Sequence, residues 1–166
     1  NYSKEFDTEF YDLLVKYEDY SKSIFNIERE QKKPRKDYAT YADAKKQIWY
    51  MYDELFDKYF ENYDFGKITD KEEIKNIINT YIDEYYDEND DKDTWFSKIQ
   101  ELSEKLGYAG NMKEYKENPD AYKGNVADVS TVIRVALTTS SMTPDLYELL
   151  RLIGKTRIKE RFNRFN

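Results

Sequence analysis

The side chains available for chemistry in this 166-residue chain are few in kind. It has no histidine, which removes the commonest general base and metal ligand and leaves Asp, Glu, Lys and Tyr as the only groups for proton transfer. It has no cysteine either, so neither a disulfide framework nor a zinc knuckle can be built, and a reducing cytoplasm fits. A carboxylate-based enzyme would need an isolated acid pair in apolar surroundings. The acids here instead crowd between Asp87 and Asp93 or lie on the polar sides of helical patterns. Read as a calcium loop from Asp87, that acidic stretch would require Gly at its sixth position and Glu at its twelfth; these are Lys92 and Lys98. A solvated surface loop is the expectation, with no catalytic and no metal-ligating residue assigned.

The cations are more informative. The overall net charge of −7 conceals segments of 0 over residues 1–52, −10 over 53–93 and +3 over 94–166. An acidic protein can still show a basic face to a nucleic acid, because the potential that matters is local. Arg134 sits inside an apolar helical run, Val126 to Thr138, whose Val129, Val132, Ile133, Ala136 and Leu137 read as core. It can snorkel, pair with Asp128 or Asp145, or stack on and hydrogen-bond to an unstacked base. After a polar tetrad come Thr143, Pro144 and Asp145, the pattern of an N-cap, a proline at the first helical position and an acid in the first turn. The last residues form a tail in which Lys155, Arg157, Lys159, Arg161 and Arg164 face one acid, Glu160. Such a tail is either a solvated end or a salt-dependent contact to a phosphate backbone.

The elements that must position these groups read as helices. Hydrophobic residues make up 39% of the chain and aromatics 17%, enough for a core, while five Gly and three Pro supply too few turns for a sandwich or barrel. Phe6, Phe10, Leu13, Leu14 and Tyr17 recur at spacings of three and four on a first helix. Residues 28–37, with Pro34 among Lys32, Lys33, Arg35 and Lys36, read as a basic turn. A capping box at Thr40 and Asp43 opens a second helix carrying Ile48, Tyr52, Leu55, Phe56 and Tyr59 and ended by Gly66. Thr69 and Glu72 suggest another box before Ile74, Ile77, Ile78, Tyr81, Ile82 and Tyr85. Trp95, Phe96, Ile99, Leu102 and Leu106 follow on a helix closed by Gly107, with Pro119 and Gly124 bounding a connector. Leu146, Leu149, Leu150 and Ile153 form the buried face of a last helix stopped by Gly154. The expected architecture is all-α, two consecutive helical subdomains over residues 1–88 and 89–166. No apolar run approaches the ~20 residues that cross a bilayer, so no membrane partner is expected. The start at Asn1-Tyr2, without Met, suggests a piece of a longer chain.

The stretch from Asp128 through Arg134 to Thr138, then Thr143-Pro-Asp-Leu-Tyr147, then Leu152-Ile-Gly-Lys155 with Arg157, resembles the C-terminal anticodon-binding region of bacterial glutamyl-tRNA synthetases. That family shows an Arg-x-Ala-Leu-Thr motif, a Thr-Pro-x-Leu-aromatic helix start and a Leu-Gly-Lys-x-Arg closing helix, here with Ile153 before Gly154. Upstream, Lys33 to Asp37 and Tyr50 to Phe56 look like the helical region that follows the catalytic domain in a clostridial-type subgroup. Two positions depart from the pattern: the usual Pro-Leu before the Arg is Val132-Ile133, and the usual Gly after Ala-Leu-Thr is Thr139.

The resemblance implies that Arg134 contacts the third anticodon base, while Thr143, Pro144, Leu146 and Tyr147 belong to the pocket for the middle one. Arg35, Lys155 and Arg157 are possible contacts to the tRNA backbone, and the reader of the first base is unassigned. It further implies a tRNA(Glu) anticodon loop as partner, with no DNA, and a catalytic domain of the same chain that holds ATP and magnesium. The chain itself, lacking the His-Ile-Gly-His and Lys-Met-Ser-Lys-Ser signatures of class I synthetases, should be inert and hold no cofactor. A helical scaffold or protein-interaction module would explain the aromatic stripes equally well. It predicts no salt-dependent RNA binding and no selective loss on changing Arg134.

Overall fold

A computed structural model describes residues 2–27, 41–60 and 62–166. The predicted basic turn, its Arg35 and the Thr40 end of the predicted capping box lie outside the described residues. Every regular element among the described residues is helical: α1 (Tyr2–Lys16), α2 (Glu18–Phe25), α3 (Tyr41–Ile48), α4 (Asp53–Tyr59), α5 (Lys71–Thr80), α6 (Lys92–Lys105), α7 (Met112–Glu117), α8 (Val126–Thr138), α9 (Leu146–Ile153) and α10 (Lys155–Phe162). The all-α expectation holds. The helices gather into two compact units, one of Asn1–Asn62 with Met142–Ile153, the other of Tyr63–Ser141 with Gly154–Asn166.

The first unit is built on aromatic residues. Phe10, Ile24, Ile48, Leu55 and Phe56 are fully buried, and the Phe6 ring meets Tyr59 edge-on at 4.9 Å between centroids. Edge-to-face pairs of this kind add to the burial of the rings themselves. The helix expected to run continuously through Tyr52 is broken: residues Trp49–Met51 form a 3-10 turn and Tyr52 is extended at φ −108°, ψ 121°. At this break Tyr50, Met51 and Tyr52 are at most 1% exposed. The Tyr52 hydroxyl shares a 2.6 Å hydrogen bond with Ser21, and burial pushes its pKa up to about 12. Tyr17, expected on one helical face with Phe10 and Leu13, lies just past the end of α1, is 36% exposed and donates to the Glu54 carboxylate at 2.8 Å. On this unit's other side of the sequence, α9 packs against α2.

The second unit centres on α8, against which α5, α6 and α10 pack. Gly66 does not end α4, which stops at Tyr59 before an extended Phe60; the glycine sits in a later turn at φ +74°, its N–H held by Asp64. The cap of α5 is Asp70 rather than Thr69, its carboxylate accepting the Glu73 N–H at 2.8 Å. A carboxylate there satisfies an orphan donor and complements the helix dipole, which a threonine does only in the first respect. Beyond Thr80 the chain widens into a π-turn, Tyr81–Tyr85, closed by the Tyr86 N–H on the Tyr81 carbonyl. The buried Tyr81 hydroxyl accepts from Trp95 Nε1 at 3.1 Å, and burial raises its pKa.

Asp91, from the acidic stretch, caps α6 through the Thr94 N–H, and Asp90 pairs with Lys98 at 2.6 Å. Gly107 closes α6 as predicted, at φ +92°, with its N–H on Glu104 and the Tyr108 N–H on Ser103, the two bonds of a Schellman motif. Phe96, on this helix as expected, is 45% exposed. The region between Gly107 and Gly124 holds the unpredicted short helix α7, capped by Asn111. Its six residues carry no buried side chain, so no hydrophobic period marks it. The Tyr108 hydroxyl (2.6 Å) and Lys123 Nζ (3.1 Å) converge on Glu73 Oε1. Those two bonds, Tyr108 first, hold the Glu73 carboxyl below its ordinary value of 4.5.

Candidate functional site

Arg134 lies in α8, whose limits match those predicted. Asn125 caps this helix, accepting the Ala127 and Asp128 N–H groups, while Asp128 Oδ2 accepts the Asn125 N–H at 3.1 Å to complete a capping box. One face of α8 is the core of its unit, with Val129, Val132, Ile133, Val135, Ala136 and Leu137 all 0% exposed. Arg134 is half-buried between two of them. Its backbone therefore cannot move without disturbing the core. Asp128, one of the proposed partners, accepts the Asn125 N–H at the start of the same helix.

Immediately after α8 the chain makes a tight polar turn. Thr139 is the single non-glycine residue with positive φ among the described residues, at φ 65°, ψ −1°, and its N–H bonds to the Val135 carbonyl at 2.7 Å. This is the left-handed conformation that suits glycine, which the resembled family carries here. The substitution thus leaves the turn with a backbone conformation a glycine would take freely. The Thr138 hydroxyl stitches the turn: it lies 2.8 Å from the Arg134 carbonyl and 3.0 Å from the Ser140 carbonyl, and accepts from the Ser140 N–H at 3.1 Å.

The start of α9, in the other unit, differs from its prediction. The N-cap is Asp145, not Thr143: its carboxylate accepts the Glu148 N–H at 3.1 Å and its carbonyl the Leu149 N–H at 3.1 Å. Pro144 consequently precedes the cap. The Thr143 hydroxyl donates to the Pro144 carbonyl at 2.8 Å, and Thr143 is only 9% exposed. Leu146 is 3% exposed and Pro144 is buried, whereas Tyr147 is half-buried. Of the four residues singled out here, only the Tyr147 side chain has substantial surface. Met142, before them, is 77% exposed.

The predicted basic tail is the helix α10, opened by Gly154 at φ +83° and followed by a 3-10 turn to Phe165. Lys155 is exposed and Arg157 half-buried. Arg161 is not a tail cation: it is 2% exposed, and its Nη1 donates to the Leu137 carbonyl at 2.7 Å. Sequence reasoning missed it because a run of alternating cations reads as solvated, and only the burial of Ile158 and Phe162 around it gives its inward facing away.

Among the described residues no group of three or more acids is placed to hold a metal ion, and no helix is long and apolar enough to cross a membrane. One unit offers a half-buried guanidinium and a hydroxyl-rich turn, groups suited to hydrogen bonding, and the other a half-buried tyrosine ring suited to stacking.

Residues 9–166 match the family model of the anticodon binding domain. The chain is 45% identical over 166 residues to a glutamate-tRNA ligase of Clostridium perfringens, covering 99% of this chain and 30% of that protein. It is 40% identical over 166 residues to the glutamate-tRNA ligase of Acetivibrio thermocellus (98% and 29%) and 34% identical over 165 residues to that of Sorangium cellulosum (99% and 28%). The chain thus spans about 30% of the length of the curated relatives it matches. No solved structure matches it.

Proposed function

The chain belongs to the anticodon binding domain family, and on that premise we propose that it is the anticodon-recognising part of a glutamate-tRNA ligase, selecting tRNA(Glu) for a catalytic domain elsewhere in the same protein. The observation that carries this reading is the alignment of essentially the whole chain with ligases of which it is a minor share. Activation of glutamate with ATP and magnesium belongs to the remainder of the protein, in the cytoplasm. The absence of any histidine from this chain fits that division of labour.

Arg134 reads the third anticodon base, because a guanidinium presents donors in a fixed plane that match base-edge acceptors. Tyr147 supplies a stacking face for the middle base, with Thr143, Pro144 and Leu146 shaping the backbone beneath it rather than meeting the base with free side-chain groups. Lys155 and Arg157 contribute charge to the phosphate backbone.

The test is binding of the full-length protein to tRNA(Glu) and to the same tRNA with an altered third anticodon base, at several salt concentrations. Arg134→Ala should cost on the order of 1–3 kcal/mol with tRNA(Glu) and abolish the preference. Lys155→Ala should weaken both complexes alike and reduce the salt dependence. Equal affinity of the unsubstituted protein for the two tRNAs would sink the reading.

A further inference from the structure

The last four carbonyls of an α-helix have no partner within it, and at a protein surface water usually serves them. At the end of α8 a different solution is found. The Val135 carbonyl is taken by the Thr139 N–H, and the Leu137 carbonyl by the guanidinium of Arg161, 24 residues further along the chain. Burying a guanidinium to 2% exposure carries a desolvation cost that water at the same carbonyl would not incur. The positive charge at the negative end of the helix dipole offsets part of that cost. The next residue but one, Thr139, is held in a left-handed conformation costly for a β-branched side chain. Strained backbone persists only where its surroundings over-determine it. Here the over-determination is visible: Arg161 holds the Leu137 carbonyl, and the Thr138 hydroxyl accepts the Ser140 N–H while its single proton is within reach of the Arg134 or the Ser140 carbonyl.

We propose that Arg161 and Thr138 are positioning residues for RNA recognition: together they hold the C-terminal turn of α8 so that Arg134 and the Thr139-Ser140-Ser141 hydroxyls meet the anticodon loop in one fixed arrangement. The inference rests on the reading of this chain as an anticodon binder and adds to it two residues that touch no nucleotide. Base readout by hydrogen bonds requires donors held within about 0.5 Å of their productive positions. A helix end free to fray would blur Arg134, one turn before Thr138, and would release the serines altogether. Ser140 is half-buried and Ser141 exposed.

The experiment measures, in the full-length protein, the ratio of affinities for tRNA(Glu) and its third-base variant, alongside thermal unfolding. Arg161→Gln and Thr138→Val should each lower that ratio roughly tenfold, the worth of about one base contact. Arg161→Lys, which keeps one donor and the charge, should retain most of it. If Arg161→Gln and Thr138→Val lower the melting temperature but leave the ratio intact, both residues are merely structural and the inference is overturned. Should Arg161→Gln fail to fold, Thr138→Val decides, since it removes a single hydroxyl and leaves the buried charge in place. Arg134→Ala measured in parallel separates the two levels. A preference lost in Arg134→Ala and kept in the turn variants overturns this inference alone; no preference in the unsubstituted protein overturns the anticodon reading and the inference with it.

Discussion

Thr139 shows how much a single residue can say once its backbone is known. Its sequence position, where the resembled family carries glycine, suggested that the loop could take another path; its φ of 65° shows a turn that glycine would also take. A β-branched residue in the left-handed region costs on the order of 1–2 kcal/mol, and glycine would escape that cost while gaining some freedom in the unfolded chain. Thr139→Gly should therefore stabilise the protein by about 0.5–1 kcal/mol, a rise of roughly 2 °C in melting temperature. A fall in melting temperature would mean that the threonine side chain contributes more packing than its half-buried position implies. Arg161 makes the complementary point. Its type is legible in the sequence and its burial is not, because direction along a helix of alternating cations depends on which neighbours are covered.

At the scale of elements, the helices were legible from apolar spacing and their ends were less so. The limits of α8 and the glycine closure of α6 agree with the pattern. The cap of α9 does not: Thr143, Pro144 and Asp145 all suit a helix start, and local preference cannot rank three good candidates in a row. The structure selects Asp145, whose carboxylate and carbonyl both bond to the first turn. Asp145→Ala should destabilise the unit holding α9 by about 1 kcal/mol, and Asp145→Asn by only a few tenths, both read from denaturant midpoints. Equal effects of the two substitutions would show that Asp145 acts through charge rather than as a cap. The same rule placed the cap of α5 one residue late, on Asp70. The break between α3 and α4 falls at Tyr50, Met51 and Tyr52, all three of them buried.

Across the whole molecule, contacts far apart in sequence decide stability and its dependence on pH. Glu73 accepts from Tyr108 and Lys123, 35 and 50 residues away, and these bonds hold its carboxyl below the ordinary range. A group depressed in the folded state stabilises above its unfolded pKa, and that stabilisation is lost as pH falls through the folded one. Glu73→Gln should thus cost about 1 kcal/mol at neutral pH, with the gap to the unsubstituted protein closing in acid as the native carboxyl protonates. Melting curves from pH 7 to pH 3 check this, and a gap constant with pH would contradict it. By itself the sequence determined the helical class, the apolar faces and the motif that points to anticodon binding, because period, composition and residue order are local properties of the chain. Only the tertiary structure decided that Arg161 turns inward to close α8, that Thr139 is left-handed and that Thr143 is buried. Each of those depends on which surfaces other parts of the chain cover, and no local pattern carries that information.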